Sequence, residues 1–339
     1  MVQFVVERDI GAHRIEENGV DGIINVYKER GFTSHDVVAK LRGILKQKKI
    51  GHTGTLDPEA EGVLPVCLGS ATKVCELLTD HEKTYRAVLL LGKVTDTQDV
   101  TGTVTQEHPV TCGEEQVRAC IASFVGTLWQ VPPMYSALKV NGQKLYELAR
   151  KGIEVERKAR QITVRRIEVE KIELPRVTMS VTCSKGTYIR TLCHDIGGAL
   201  GCGGCMESLV RTAVGPFSAE HSVRLSEIEK KRDEGRLDEL VLGTDEVFRQ
   251  YPALQLTEAG ERLVRNGNPF EADDRLAREM AEEDTRRTED GSEGEIRQNG
   301  AGRYRVYDRR GRFLAIYEWK EARGLYWPVK MFLGTGSVE

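Results

Sequence analysis

Apolar and polar positions change period repeatedly along the chain, and each change marks an element. In GIINVYK, residues 22–28, apolar side chains crowd together and predict a strand. In the following TSHDVVAKLRGILKQKK, Val37, Val38, Leu41, Ile44 and Leu45 recur at helical spacing, with Ser34 as the expected cap. The closing KQKK suits the negative end of a helix dipole, and equally a phosphate backbone. SATKVCELL predicts a short helix, and KTYRAVLLLGK, residues 83–93, a strand largely buried on both faces. GEEQVRACIASFVG puts Val117, Cys120, Ile121 and Phe124 on one helical face. RVTMSVTC, residues 176–183, alternates strictly and predicts a strand with Val177, Met179, Val181 and Cys183 facing one way. GTYIRTLCHDIGGALG returns to helical spacing through Ile189, Leu192, Cys193, Ile196 and Leu200. Strands and helices intermix without regular βαβ alternation, so the expected class is α+β.

A second unit is expected from about Tyr251. Residues 270–302 are dense in charge and nearly free of large apolar side chains after Met280, which predicts a mobile loop or partly helical insertion. RYRVYDRRGRFLAIYEW reads as a hairpin about DRRGR, and LYWPVKMFL as a further strand. A length of 339 residues favours two domains over one. With 40% hydrophobic and 30% charged residues, the composition is that of a soluble globular protein. No apolar run approaches the roughly 20 residues of a membrane span. The opening MVQFVVERDIGAH lacks a basic n-region and a long apolar run, so the eight scattered cysteines are read as reduced thiols in a cytoplasm. Cys202 and Cys205 alone have CxxC spacing. Without a second pair or nearby histidines, in a glycine-rich loop, they are read as structural and not as zinc ligands. The net charge of −3 argues against indiscriminate coating of nucleic acid, yet leaves room for a local basic groove.

The stretch GHTGTLDPEAEGVLPVCLG, residues 51–69, holds four glycines and two prolines around Asp57. Asp57-Pro58 reads as a helix start, with the aspartate as cap and proline in the first turn. A catalytic carboxylate is the competing reading, and the residues alone leave both open. GHTGTLD lacks the Gly-Lys-Ser/Thr ending of a phosphate loop, and the chain contains no HExxH or GxSxG.

GHTGTLDPEAEGVLPVCLGSATK, KTYRAVLLLGKVTDTQDVTG, VPPMYSALKVNGQKLYELAR and CSKGTYIRTLCHDIGGALG resemble, in order, the motifs of the TruB family of bacterial tRNA pseudouridine synthases. The resemblance runs from about Gly22 to Pro216, and more loosely onward, where GRFLAIYEW and WPVKMF are similar to a small PUA-type RNA-binding domain. It implies a pseudouridine-synthase fold: a mixed, mainly antiparallel sheet flanked by helices, followed by a β-rich PUA-like domain. The implied domains are 20–249 and 250–339, with an acidic insertion at 270–302. The implied activity isomerises the T-loop uridine at position 55 of tRNA, with the base extruded. Asp57 would be the essential catalytic residue, paired with Arg190. Tyr85 would pack on the target base, Leu209 beneath it, and His52 would contact the T-loop; Lys28 falls in the family's early substrate-side motif. No cofactor or metal is implied, and the partner is the tRNA T-arm, bound by a monomer without obligatory protein partners.

Basic groups expected to meet phosphates are Lys46, Lys48, Lys49, Lys139, Lys144, Arg150, Lys151 and the run RKARQITVRR. MYSALKVNGQKLYELARKG matches a thumb-like segment, with Asn141-Gly142 as a tight hairpin turn. Two departures stand out. KERG replaces the usual Lys-Pro-x-Gly, with Glu29 in the proline position, which predicts a retained but less rigid loop; and Cys205 replaces a larger residue. Residues 1–19 precede the family's usual start and carry no motif, so translation is expected to begin natively at Val20, read from a GUG codon. An intact mass that includes residues 1–19 would overturn that expectation. The rival functions are a guide-RNA-dependent ribosomal RNA synthase, a non-catalytic tRNA-folding chaperone and an aspartate-dependent hydrolase.

Overall fold

The computed structural model describes residues 19–271 and 302–333. The expected N-terminal extension, up to residue 18, and residues 272–301 of the acidic insertion lie outside them.

The chain opens with β1 (Gly22–Lys28), α1 (Ser34–Leu45), β2 (Ile50–His52) and β3 (Glu61–Leu68). The cap of α1 is Thr33, not Ser34. Thr33 Oγ1 accepts from the Asp36 N–H at 3.0 Å, and the Asp36 carboxylate accepts from the Thr33 N–H at 2.8 Å. This reciprocal box needs an acceptor three residues after the cap, which only Thr33 has. Ser34 is instead buried, and its hydroxyl accepts from the Leu56 N–H at 2.9 Å, tying the helix to the Asp57 loop. The helix stops where Lys46 turns left-handed (φ 50°), so KQKK lies beyond its last turn.

β3 is covered on both faces, which explains its unbroken apolar run. Leu64, Val66 and Leu68 pack with Ile24, Val26 and the α1 residues Val37, Val38 and Leu41. Val63 and Cys67 pack the other way, with Ile23 and Phe248.

The chain continues through α2 (Cys75–Thr79), β4 (Lys83–Leu91), β5 (Lys93–Thr95), β6 (Val104–Glu107), α3 (Glu114–Ser123) and β7 (Gly126–Gln130). A small hairpin, β8 (Lys139–Val140) and β9 (Gln143–Lys144), turns at Asn141 and Gly142, both at positive φ, and leads into α4 (Leu145–Ala149). Then follow β10 (Arg160–Glu173), β11 (Arg176–Cys183), α5 (Ile189–Ala199), β12 (Gly204–Val214), β13 (Phe217–Ser218) and α6 (Leu225–Asp233). The main sheet has the order β1-β3-β12-β4-β11-β10-β7, with β2 on β3 and β13 on β12. β3 and β12 run parallel, and the other pairs in this sheet are antiparallel. α3 and α5 cover one face of its right half, burying Val117, Ile121, Ile189, Leu192 and Ile196 on Ala87, Leu89, Val177 and Met179. The α+β class expected from the sequence is the one found.

A second sheet is made by β14 (Ala253–Gln255), β15 (Arg303–Tyr307), β16 (Phe313–Lys320) and β17 (Leu325–Met331), with α7 (Glu258–Arg265) beside it. Its own core includes Leu254, Val264, Val306 and Tyr317. Ile316 and Phe332 belong instead to the cluster of Val63, Cys67 and Phe248, so the small sheet packs on the β1–β3 end of the large one.

Candidate active site

Asp57 caps no helix. The Ala60 N–H returns to the Asp57 carbonyl at 3.1 Å, closing a turn over Pro58 and Glu59, and the chain enters β3 at Glu61. Asp before Pro favours such a turn as much as a cap, and the demand of β3 to pair with β1 selects the turn.

The loop is tied at several points. The Arg211 Nε donates to the Val63 carbonyl at 2.7 Å, and its Nη2 to that of Gly54 at 3.3 Å. Ser34 holds Leu56, as above. The Pro58 carbonyl accepts from the Gly31 N–H at 2.9 Å and from the Lys28 ammonium at 3.2 Å. So fixed, the loop presents a carboxylate with 43% of its side-chain surface open. Leu56 and Ala60, on either side, are buried in the core under α5.

Arg190, on the first turn of α5, pairs with this carboxylate, Nε to Oδ2 at 2.9 Å. Its other nitrogens donate to the Thr97 carbonyl at 3.1 Å and the Tyr135 carbonyl at 2.7 Å, and Asp99 lies 3.7 Å from Nη1. The guanidinium is buried, so its orientation is set by these partners and not by solvent. Asp57 is open at its tip but crowded by protein at depth. Burial pushes its carboxyl above the ordinary range and Asp99 adds to this, while Arg190 and Lys28 pull it back down.

Tyr85 and Leu209 lie in the core beside the loop. Both are buried, on β4 and β12, in the cluster that holds Leu56. Burial raises the Tyr85 phenol, and the neighbouring Arg211 opposes that shift. His52, at the end of β2, stands edge-on to His35 with ring centroids 5.4 Å apart. The Gly54 N–H donates to its Nδ1 at 3.3 Å, which assigns the hydrogen to Nε2. Burial, with the charge of His35, lowers its pKa, so the ring is neutral near pH 7.

Lys28 does not sit where a substrate-binding residue would. It is fully buried, and its ammonium donates to the carbonyls of Phe32 at 2.6 Å, Glu29 at 3.2 Å and Pro58 at 3.2 Å. An ammonium has three hydrogens, and three carbonyls take them. Lys28 therefore props the Asp57 loop from below. Burial lowers its pKa to about 8.

Of the expected phosphate contacts, Lys46, Lys48, Lys49, Lys139, Arg150 and Lys151 are exposed. Lys144 and Arg150 both lie over the Tyr146 ring, each 5.4 Å from its centroid. The run RKARQITVRR is not a uniform basic strip. Arg165 pairs with Glu82 at 2.6 Å, Arg166 with Glu168, and Arg160 stacks on Tyr188 at 4.8 Å. Cys205 lies within β12 and not in a loop. It neighbours Cys193, whereas Cys202 neighbours Cys112, so the CxxC spacing does not describe a pair. Glu29, in place of proline, reaches Arg224 at 2.9 Å.

The sequence reading missed Asp99 and Arg211. Asp99 lies in a polar turn with no distinguishing pattern. Arg211 did leave a trace, as a charge two residues after Leu209 on the apolar face of a strand.

Residues 42–189 match the profile of the TruB family pseudouridylate synthase N-terminal domain, and residues 190–249 that of the tRNA pseudouridylate synthase B C-terminal domain. The chain is 49% identical over 322 residues to tRNA pseudouridine synthase B of Lachnoclostridium phytofermentans, covering 93% of this chain and 100% of that protein. It is 48% identical over 249 residues to the protein of the same name from Clostridium tetani, covering 73% of this chain and 85% of the relative. Among solved structures, an H/ACA RNP bound to a substrate RNA containing 2'-deoxyuridine shares the fold, with a TM-score of 0.63 at 23% identity over 93% of this chain and 86% of that one. Identity at this level over the full length of a relative settles the matter: the chain belongs to the TruB family of pseudouridylate synthases.

Proposed function

We propose that this protein converts the T-loop uridine at position 55 of tRNA to pseudouridine, with Asp57 as the catalytic carboxylate. The observation that carries the reading is the Asp57–Arg190 pair, held at 2.9 Å on a loop tied from several sides and open toward solvent at the carboxylate. The N1–C1′ bond breaks, the base turns, and C5 bonds to C1′. The proton lost from C5 is balanced by one gained at N1, so nothing is oxidised and no group is imported. Departure of the base develops positive character at C1′, as in glycoside cleavage, and a carboxylate there shields or captures it. Such chemistry cannot reach a stacked base, so the uridine is extruded. Tyr85 packs on it, Leu209 lies beneath, and the neutral His52 offers its Nε2–H to the T-loop. Arg190 orients the carboxylate. Lysines on the α1–β2 turn and on the hairpin near Tyr146 meet the phosphates of the T-arm. The protein works as a cytoplasmic monomer without cofactor.

Tritium release from unmodified tRNA carrying 5-tritiated uridine tests this, because bond formation at C5 must expel that hydrogen. Asp57→Asn is expected to bind tRNA yet lose on the order of 10⁴-fold or more in rate. Release unchanged in the variant would remove Asp57 from the chemistry. Binding without release from the wild type would favour an RNA-folding role.

A further inference from the structure

Gln98 adopts a backbone conformation that its side chain should discourage. The turn from Thr95 to Gln98 closes with the Gln98 N–H on the Thr95 carbonyl at 3.2 Å, and Gln98 itself is left-handed, with φ 64°. Glycine takes that conformation freely, whereas a residue with a Cβ is strained in it. At Lys46 and Asn141 the same conformation ends a helix and turns a hairpin, uses that need no side chain. At Gln98 the side chain is engaged. The hydroxyl of Thr191, a buried residue of α5, donates to the Gln98 Oε1 at 2.7 Å. Thr191 directly follows Arg190, and the residues on either side of Gln98 both face that guanidinium. Arg190 Nη1 donates to the Thr97 carbonyl at 3.1 Å and stands 3.7 Å from the Asp99 carboxylate. The main chain of the segment is held separately, on β12. The Met206 N–H donates to the Gln98 carbonyl, and the Val100 N–H to that of Met206, each at 3.0 Å.

We propose that Gln98 is a positioning residue for the isomerisation, its side chain latching the Thr97–Asp99 turn to α5 so that Arg190 meets the Asp57 carboxylate in a fixed direction. This rests on the reading of Asp57 as the catalytic carboxylate. Gln98 touches no reacting atom; it acts through Arg190. The guanidinium has Asp57 on its Nε and the turn on its Nη1, so a shift of the turn tilts the plane that carries both. The bonds to β12 fix the turn along the sheet, and Thr191 fixes it against the helix that bears Arg190. One link without the other leaves the turn free to swing. A glycine at this position would relieve the backbone strain and lose the latch, so conformation and side chain serve opposing demands.

The test is a cycle of Gln98→Gly, Thr191→Val and the double variant, reading single-turnover tritium release at saturating tRNA, tRNA affinity and melting temperature. Gln98→Gly keeps the turn and removes the latch, so its melting temperature should stay level or rise. Its release should slow about 10- to 100-fold while affinity changes less than about twofold. Thr191→Val, of nearly the same shape, removes the other half of the bond and should slow release by the same factor. The double variant should be no slower than either single one, since each breaks the same link. Release at the wild-type rate in Gln98→Gly, or losses that multiply in the double variant, would overturn the proposal and leave Gln98 a turn residue. Thr191→Val leaves the backbone of the turn untouched and decides the question alone if Gln98→Gly fails to fold. Asp57→Asn is measured alongside: normal release from it would sink the catalytic reading of Asp57, whatever the latch variants show.

Discussion

In the proposed reaction the Asp57 carboxylate must be ionised to shield the developing positive charge, and its surroundings resist this. Its pKa is raised from 3.8 by burial, with Arg190 as the principal counterweight. Activity should therefore fall on the acid side at a higher pH than an ordinary aspartate would give. Arg190→Gln removes the counterweight and should move that limb to still higher pH, in a pH profile of single-turnover tritium release. The effect on stability has the opposite sign. A folded-state pKa above the unfolded value means that the native protein binds this proton more tightly, so ionising Asp57 weakens the fold as pH rises. Asp57→Asn should thus keep or raise the melting temperature at neutral pH while abolishing turnover. Lys28 shows the converse. Its folded pKa is lowered from 10.5 to about 8, so its charged form opposes folding, and stability should climb between about pH 8 and pH 10.5 as the native state sheds the proton first. Lys28→Met should reduce that climb in melting curves. It should also destabilise by about 3 kcal/mol, because three buried carbonyls lose their donor.

At the scale of elements, the parallel contact of β3 with β12 decides where the site lies. It brings Gly62 against Arg211 and so sets the Asp57 loop above Tyr85. Gly62→Ala would force a Cβ to 2.2 Å from a backbone oxygen at φ 108°, and the two strands would have to part. A loss of more than about 3 kcal/mol is expected in denaturant unfolding. Gly31→Ala is the control: φ is 86° but the space around it is empty, so only the backbone strain of about 1 kcal/mol applies. This contact also marks the limit of what the sequence could show. α1, β11 and α5 were legible because each has one buried and one wetter face, and a period of 3.6 or 2 records that asymmetry. β3 was not legible by period, because both its faces are covered. The turn at Asp57 was ambiguous because Asp-Pro serves a helix cap and a β-turn equally well. The pairing of residues 61–62 with 210–211 leaves no local mark, so Arg211 could be seen as an oddly placed charge but not as a tie to Asp57. The motifs pointed to Asp57 and Arg190, which the structure pairs at 2.9 Å; only the register of strands distant in sequence could place Lys28 under the loop.

For the whole molecule, two sheets share one cluster, and RNA binding has to arise on a chain of net charge −3. The cluster joins Phe248, Phe313 and Phe332, whose rings lie 5.1–6.1 Å apart, to Val63 and Cys67 of β3. Phe248→Ala should cost about 3–5 kcal/mol, and should do so as a shift of a single unfolding transition, because the emptied volume belongs to both sheets at once. The charge poses a different problem. A protein with slightly more acid than base repels a polyanion at long range, so affinity must come from a few exposed cations gathered on one side. Lys46, Lys48 and Lys49 are the group proposed for this: all are exposed, on the turn leading into β2, the last of them three residues ahead of His52. Each phosphate contact that they make releases counterions, and the logarithm of affinity then falls with the logarithm of salt by roughly 0.7–0.9 per contact. Replacing all three by Gln should flatten that slope by about 2 and weaken tRNA binding most at low salt. A salt series of binding isotherms measures both. A slope unchanged in the triple variant would take the phosphates off this turn and leave the hairpin lysines to hold the T-arm.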